Sequence, residues 1–315
     1  MNPKLSVITC AHDSREDYLA AVLAGLRNQS LVKSQWEYLL IDNAGRRPLE
    51  SAVDLSWHPQ ARHLREEELG LTHARLRGIR ESAGEILVFV DDDNVLDPDY
   101  LGEVIRIAGE WPMIGAFSGQ VRPQFEEAPP DWTRRYWRRL AINEFKQDSW
   151  SNVPCLENTT PNGAGLCVRR RVADEYLAYH ANGRRNVVLD RAGSSLLSAG
   201  DLDLAATACD LGLGNGLFTS LKLTHLIPKE RLSERYLLEL LEAQIVSARL
   251  LESFRSNGHA TPKKKWKTVV ADQIRPLFMN SRERRFFRAM RNGERKAVEL
   301  LNHSQKVTGR LESEH

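Results

Sequence analysis

The chain has 315 residues, 42% of them hydrophobic and 27% charged, with a formal net charge of +2 and four cysteines. That length buries a sizeable core and fits one large domain with a smaller appendage. The composition is that of an ordinary soluble globular protein, and the longest apolar runs, such as "EILVFV", are too short to cross a bilayer.

Cys10, Cys155, Cys167 and Cys209 form no CxxC pair. This argues against metal knuckles and a disulfide framework, and for a reducing cytoplasm. Charge is unevenly spread: from Arg255 to the end there are 15 Lys/Arg against 6 Asp/Glu. The tail is therefore basic and the preceding body acidic.

At the N-terminus "LSVITCAHDSRED" reads as a strand rather than a signal peptide, because charge returns after a short apolar stretch. Leu5–Thr9 is the expected first strand. A helix over 14–29 follows, with Leu19, Val22, Leu23 and Leu26 on one face. "WEYLLIDNAG" is a second strand closing in a turn, 71–82 a second helix, and "EILVFV" a strand apolar enough to be covered on both faces. Strand, helix, strand, helix, strand at this spacing predicts an α/β fold with a mostly parallel central sheet, flanked by helices. Ligands in such sheets bind beyond the carboxyl ends of the strands. Those ends here carry "TCAHD", "DNAG" and "DDDN".

After the third strand, Asp97 is the expected N-cap of a helix, with Pro98 at its first position and Asp99 at the positive end of its dipole. Residues 111–121 read as a strand. "FEEAPPDWTRRYWRRLAINEF" reads as a lid-like excursion, "TPNGAGLCVRR" as a glycine-rich turn entering a strand, and "SSLLSAGDLDLAATACDLGLG" as a loop entering a helix that stops at Gly212 or Gly214. Residues 233–254 predict a long amphipathic helix. "SNGHATPKKKWK" reads as a linker, and the basic remainder as helical. The catalytic domain is expected over 1–240 and a helical basic extension over 241–315.

Asp91, Asp92 and Asp93 close a strand rather than opening a helix. Adjacent carboxylates raise one another's pKa unless a cation lies between them. A divalent Mg²⁺ or Mn²⁺, held by one or two carboxylates together with substrate phosphates, answers that need.

Taken in order, "SVITCAHDSREDYLAAVLAGLRNQS", "EYLLIDNAG", "ELGLTHARLRGIRESAGEILVFVDDDNVLDPDYL" and "SAGDLDLA" resemble the family 2 glycosyltransferases of the GT-A fold, over roughly 4–240. The resemblance implies an inverting, metal-dependent enzyme that moves a sugar from a nucleoside-diphosphate donor to a hydroxyl on a glycan or lipid-linked acceptor. It implies that Thr9 and Ala11, on the first loop, line the nucleotide pocket and that Asp42 faces the base or ribose. Read from the residues, Asp42 equally suits an Asx turn closing its strand. Arg75 would face the diphosphate; Arg77, about 200° round the helix, points elsewhere. Asp91 and Asp93 would be the Asp-x-Asp pair, with Asp91 on ribose or metal, Asp92 beside the nucleotide and Asp93 on the metal.

Asp201 would be the general base. Gly200 stands where the family usually has a glutamate, and Asp203 is the substitute candidate. His225 would lie near the metal, and Gly163, Ala164 and Gly165 would let backbone approach donor sugar and acceptor. Trp132 and Trp137 are candidates for stacking on an acceptor sugar, and Arg231 and Tyr236 for closing over the phosphates.

The basic tail suits an anionic membrane surface, its own catalytic domain or a second copy of the chain in a homodimer. No nucleic-acid module accompanies the charge. A sugar nucleotidyltransferase would need a glycine-rich loop after the first strand, which "TCAHDSRED" lacks. A non-catalytic sugar-nucleotide-binding scaffold is the other alternative; Asp201 argues against it.

Overall fold

The computed structural model describes residues 3–185, 189–191, 193, 195–256 and 274–312, with side chains to residue 302. It divides into two compact units: Met1–Val188 with Gly200–Lys229, and Leu189–Ala199 with Glu230–His315.

In the first unit the strands join in one sheet. Leu5–Ala11 (β1) pairs in parallel with Trp36–Asn43 (β2) and Ile86–Phe89 (β4), and β2 pairs in parallel with Ala61–Glu66 (β3). Beyond β4 the sheet becomes mixed. Cys167–Arg169 (β8) runs antiparallel to β4 and to Ile114–Phe125 (β6). Gly214–Ile227 (β9) is parallel to β6, and Asn94–Leu96 (β5) and Ser149–Ser151 (β7) run antiparallel to β9.

Side-chain alternation divides the core between the two faces. Leu5, Val7, Tyr38, Leu40 and Val88 join the cluster under Glu16–Arg27 (α1) and Tyr100–Glu110 (α3). Ile8, Leu39, Ile41, Leu87 and Phe89 join the cluster under Leu71–Glu81 (α2), Arg170–Ala181 (α4) and Gly200–Asp210 (α5). α2 lies hard against β1, for a Cβ on Gly78 would sit 2.6 Å from Ile8 Cγ2. That close seating fixes where the first turn of α2 delivers its side chains.

Several boundaries differ from the sequence reading. α1 starts only at Glu16 because Arg15 is extended (φ −64°, ψ 125°). Asp97 does not cap α3. Its carbonyl accepts the Tyr100 N–H at 3.0 Å in a turn, and its carboxylate pairs with Arg122 of β6, so the helix begins three residues later. β6 is displaced from the expected 111–121, because α3 still holds the Trp111 N–H through the Ile107 carbonyl. The supposed lid contains a 3₁₀ run, Asp131–Leu140, whose every-third-residue row buries Thr133 and Tyr136.

The second unit contains Glu234–Arg255 (α6) and Ser281–Glu312 (α7). Ser233 Oγ accepts the Tyr236 N–H, an N-cap that starts α6 where the sequence placed it. The helices touch at Gly293, where an added Cβ would lie 2.7 Å from the Glu242 carbonyl oxygen. The expected linker lies outside the described residues from position 257 onward. Among the described residues no helix is long and apolar enough to cross a membrane.

Candidate active site

The carboxyl ends of the strands gather the acids. β4 stops at Phe89, and the chain turns at once, with the Asn94 N–H reaching the Asp91 carbonyl at 3.1 Å. The Asn94 amide then donates to both Asp91 Oδ2 (3.1 Å) and Asp93 Oδ1 (3.2 Å), holding the two carboxylates side by side. β9 fastens this turn from far along the chain: Asn94 lies opposite His225, and the Leu226 N–H donates to the Asp93 carbonyl at 2.8 Å. His225 Nε2 comes to 3.4 Å from Asp93 Oδ2. Asp92 turns the other way and accepts a hydrogen bond from Ser14 Oγ, on the loop after β1.

α5 brings Asp201 within electrostatic reach of Asp91. Asp201 Oδ2 accepts the Gly163 N–H at 2.5 Å and its Oδ1 the Leu202 N–H at 2.8 Å. The point where a Gly163 Cβ would stand is 3.0 Å from both Asp201 Oδ2 and Arg75 Nη2. Arg75, Gly163 and Asp201 therefore converge, and a side chain at 163 would press on both charged groups. Gly165 has φ +68°, a left-handed conformation that side chains resist, and its carbonyl accepts the buried Tyr100 hydroxyl at 2.7 Å. Ala164 is buried between the two glycines.

Three acids, Asp91, Asp93 and Asp201, thus share a site with Arg75 and His225. Burial pushes the Asp91 carboxyl up to about 6, opposed by Arg75 and assisted by the negative fields of Asp93 and Asp201. A site this rich in carboxylate favours a cation.

The residues present fit a divalent ion in donor type. Octahedral bonds of about 2.1 Å place neighbouring donors about 3 Å apart, close to the observed spacing of Asp93 Oδ2 and His225 Nε2. Among the described residues no group of three or more His, Cys, Asp or Glu is gathered round one point.

Other expected residues sit differently. Thr9 and Ala11 belong to β1 itself, not the loop beyond it, and are 0% and 1% exposed. Their side chains fill the sheet. Asp42 is buried with its carboxylate occupied: Oδ2 takes Arg65 Nη1 at 2.7 Å and the Leu49 N–H at 3.1 Å, and Oδ1 takes the Gly45 N–H at 3.1 Å. That is the turn-closing arrangement weighed against a nucleotide contact. Asp203 is held by Arg185 through two bonds of 2.5 and 2.9 Å, both groups largely buried. Arg77 pairs with Glu81 along α2. Trp137 packs on Phe125 at 4.9 Å and donates to Thr133 Oγ1, and Trp132 meets Tyr136 at 6.3 Å. Arg231 and Tyr236 belong to the second unit.

Several positioning residues escaped the sequence reading. Asn43 Oδ1 accepts the Gly70 N–H at 2.8 Å, and its Nδ2 donates to the Glu68 carbonyl at 2.7 Å, so it fixes the start of α2 and hence Arg75. Asn94 aligns the two acids. Arg65 and Arg185 neutralise Asp42 and Asp203. The signal in "DNAG" and "DDDN" was present, but an amide beside acids does not announce its partners.

Comparison with known proteins agrees with this geometry. The model of the family described as Glycosyl transferase family 2 matches residues 6–176, more than half of the chain. The chain belongs to that family. An N-acetylglucosaminyltransferase of Rhizobium sp. (strain N33) is 27% identical over 150 residues, 45% of this chain. A Bacillus subtilis (strain 168) protein assigned to the glycosyltransferases under the name EpsH is 26% identical over 108 residues, 34% of this chain. The chain spans about a third of the length of these two curated relatives, 31% and 32%.

The family fold extends further. The crystal structure of S. aureus TarS 1–349 superposes with a TM-score of 0.51 at 16% identity, over 94% of this chain and 91% of that one. TarS 1–349 in complex with UDP-GlcNAc gives the same TM-score, over 94% and 92%. The GT-A architecture expected from the sequence is thus the observed one, helical C-terminal region included.

Proposed function

We propose that the protein is an inverting glycosyltransferase that moves a sugar from a nucleoside-diphosphate donor to a hydroxyl acceptor in glycan biosynthesis. The single observation that carries the reading is the meeting of Asp201, Gly163 and Arg75 at one point beside Asp91 and Asp93. Such a site offers a base and a charge-stabilising group close together.

Each Asp201 oxygen accepts one backbone N–H, which orients the carboxylate. The acceptor hydroxyl loses its proton to Asp201 as its oxygen attacks the anomeric carbon. The bond from that carbon to the diphosphate oxygen breaks on the opposite face, so configuration inverts in one displacement. Arg75 faces the charge growing on the departing diphosphate. A divalent Mg²⁺ or Mn²⁺ bound at Asp93 and His225 would supply further neutralisation of that leaving group.

UDP-N-acetylglucosamine is the first donor to test, on the name of the Rhizobium relative for the sugar and on the TarS complex for the nucleotide. The acceptor is a glycan or lipid-linked sugar, and the basic helix α7 suits an anionic membrane face.

Asp201→Asn tests the reading, because asparagine still accepts the Gly163 N–H and cannot take a proton. Transfer should fall about 10²–10⁴-fold while titration calorimetry gives unchanged donor affinity. Near-normal transfer by the variant removes the base assignment.

A further inference from the structure

The second unit holds a groove with no part in the chemistry above. Its volume is about 610 Å³, within the range of about 300–1,000 Å³ usual for small-molecule sites. One wall is a single face of α6, Leu238, Glu242, Ala243 and Val246, at helical spacing. The facing wall is one stripe of α7, Arg288, Ala289, Asn292, Lys296 and Leu300. The stretch Ser195–Leu197 closes the third side, tied to α6 by the Ser198 N–H, which donates to Ser247 Oγ at 3.1 Å.

Leucine, valine and alanine make half of the lining residues, Arg285, Arg288 and Lys296 stand along the α7 edge, and Glu239 and Glu242 line it from α6. Two of those cations are already engaged: Arg285 with Glu234, and Lys296 with Glu242. Arg288 is exposed on the same edge, and among the described residues no carboxylate pairs with it. Asn292 follows it by four residues, one turn along the helix. The exposed side of α7 also carries Arg284, Arg291 and Arg295, of which Arg291 pairs with Glu294 and Arg295 with Glu299.

We propose that this groove binds an amphiphile with a hydrocarbon chain and a phosphate head, supplied by a lipid. The chain lies between α6 and α7 on Leu196, Leu197, Leu238 and Val246; the phosphate lies on Arg288 and Asn292. Apolar lining favours the chain by burial, and a guanidinium meets phosphate with paired, charge-assisted hydrogen bonds. The stretch that forms the third wall ends four residues before Asp201 in the chain, so an anchored lipid would touch the segment leading into the base. The inference rests on the lipid-linked acceptor reading and is tested without turnover.

The test is calorimetric titration of the full chain with decyl phosphate below its micellar concentration, with decanol and inorganic phosphate as separate arms. Decyl phosphate should bind, decanol at least tenfold more weakly, and inorganic phosphate not measurably. Arg288→Glu should weaken decyl phosphate at least tenfold, and Ala243→Phe, which fills the groove, should abolish binding. Thermal melts of both variants establish that they fold. If Ala243→Phe melts poorly, Leu238→Gln takes its place and should weaken binding at least tenfold. Binding that is absent in the wild type, or undiminished in the groove variants, overturns the proposal. So does a dimer in which light scattering and exchange protection place a second copy on these helix faces. Loss of lipid binding with donor hydrolysis intact removes the groove alone; loss of donor hydrolysis in Asp201→Asn concerns only the transfer reading.

Discussion

Asp42 at the tip of β2 and Asp91 just past β4 flank β1 on its two sides, yet their surroundings are opposite. Asp42 meets an arginine and two backbone N–H groups, and its turn is complete without any ligand. Asp91 meets two further acids, and its carboxyl is pushed up to about 6 by burial first, Arg75 opposing the rise and the two acids adding to it. A strand-end carboxylate that is satisfied by the chain holds structure; one that is buried beside two further acids, with Arg75 only partly opposing them, favours a cation. The contrast separates two aspartates that share a residue type and a place in the sheet.

The comparison breaks most visibly at Asp93. Asp93→Asn should cost about 10²–10³ in kcat, and a thermal shift with nucleoside diphosphate should lose its Mn²⁺ dependence. If that dependence survives, the ion is held elsewhere. Asp42→Ala should instead act on stability. It leaves Arg65 and two N–H groups without their acceptor, a loss of about 2 kcal/mol once the partial exposure of Arg65 is allowed for. Urea unfolding reads it directly, and an unchanged midpoint would return Asp42 to the nucleotide.

Asp91→Asn sharpens the contrast through pH. The folded-state pKa is raised, so the folded protein binds more protons than the unfolded chain between about pH 4 and 6. Wild-type stability attributable to this group therefore falls as pH rises through that window. At pH 7 the asparagine variant should be more stable by about 2 kcal/mol, allowing for partial solvent access. At pH 4 the advantage should vanish, which paired melts at the two pH values would show. A fourth, smaller effect concerns His58, whose pKa is lowered to about 4 by burial and by the charge of Lys33. Its contribution is present above about pH 6.5 and is lost as pH falls toward 4. His58→Phe should melt with a shallower acid slope than the parent.

Much of the fold was legible because periodicity survives where burial is strong. β1, β2, β4, α2 and α6 lie within a few residues of their expected places. β3 was not legible: "ARHLRE" is polar at alternate and adjacent positions, as an edge strand with partly exposed sides allows. β5 and β7 are three residues each, too short to carry a period. α4 begins directly from β8 at Arg170, without the cap that would mark it, and its stability comes from tertiary contact.

The order of acids along the chain, the family and the strand ends that carry those acids were determined by the sequence alone, because strand ends and turn residues are written locally. Which acids belong to the site was decided only in three dimensions. Arg65 is 23 residues from Asp42, Arg185 is 18 from Asp203 and His225 is 132 from Asp93. Whether a carboxylate is satisfied or left wanting a cation depends on what the folded chain brings within a few ångströms of it, and Coulomb energy falls with distance in space, not along the sequence.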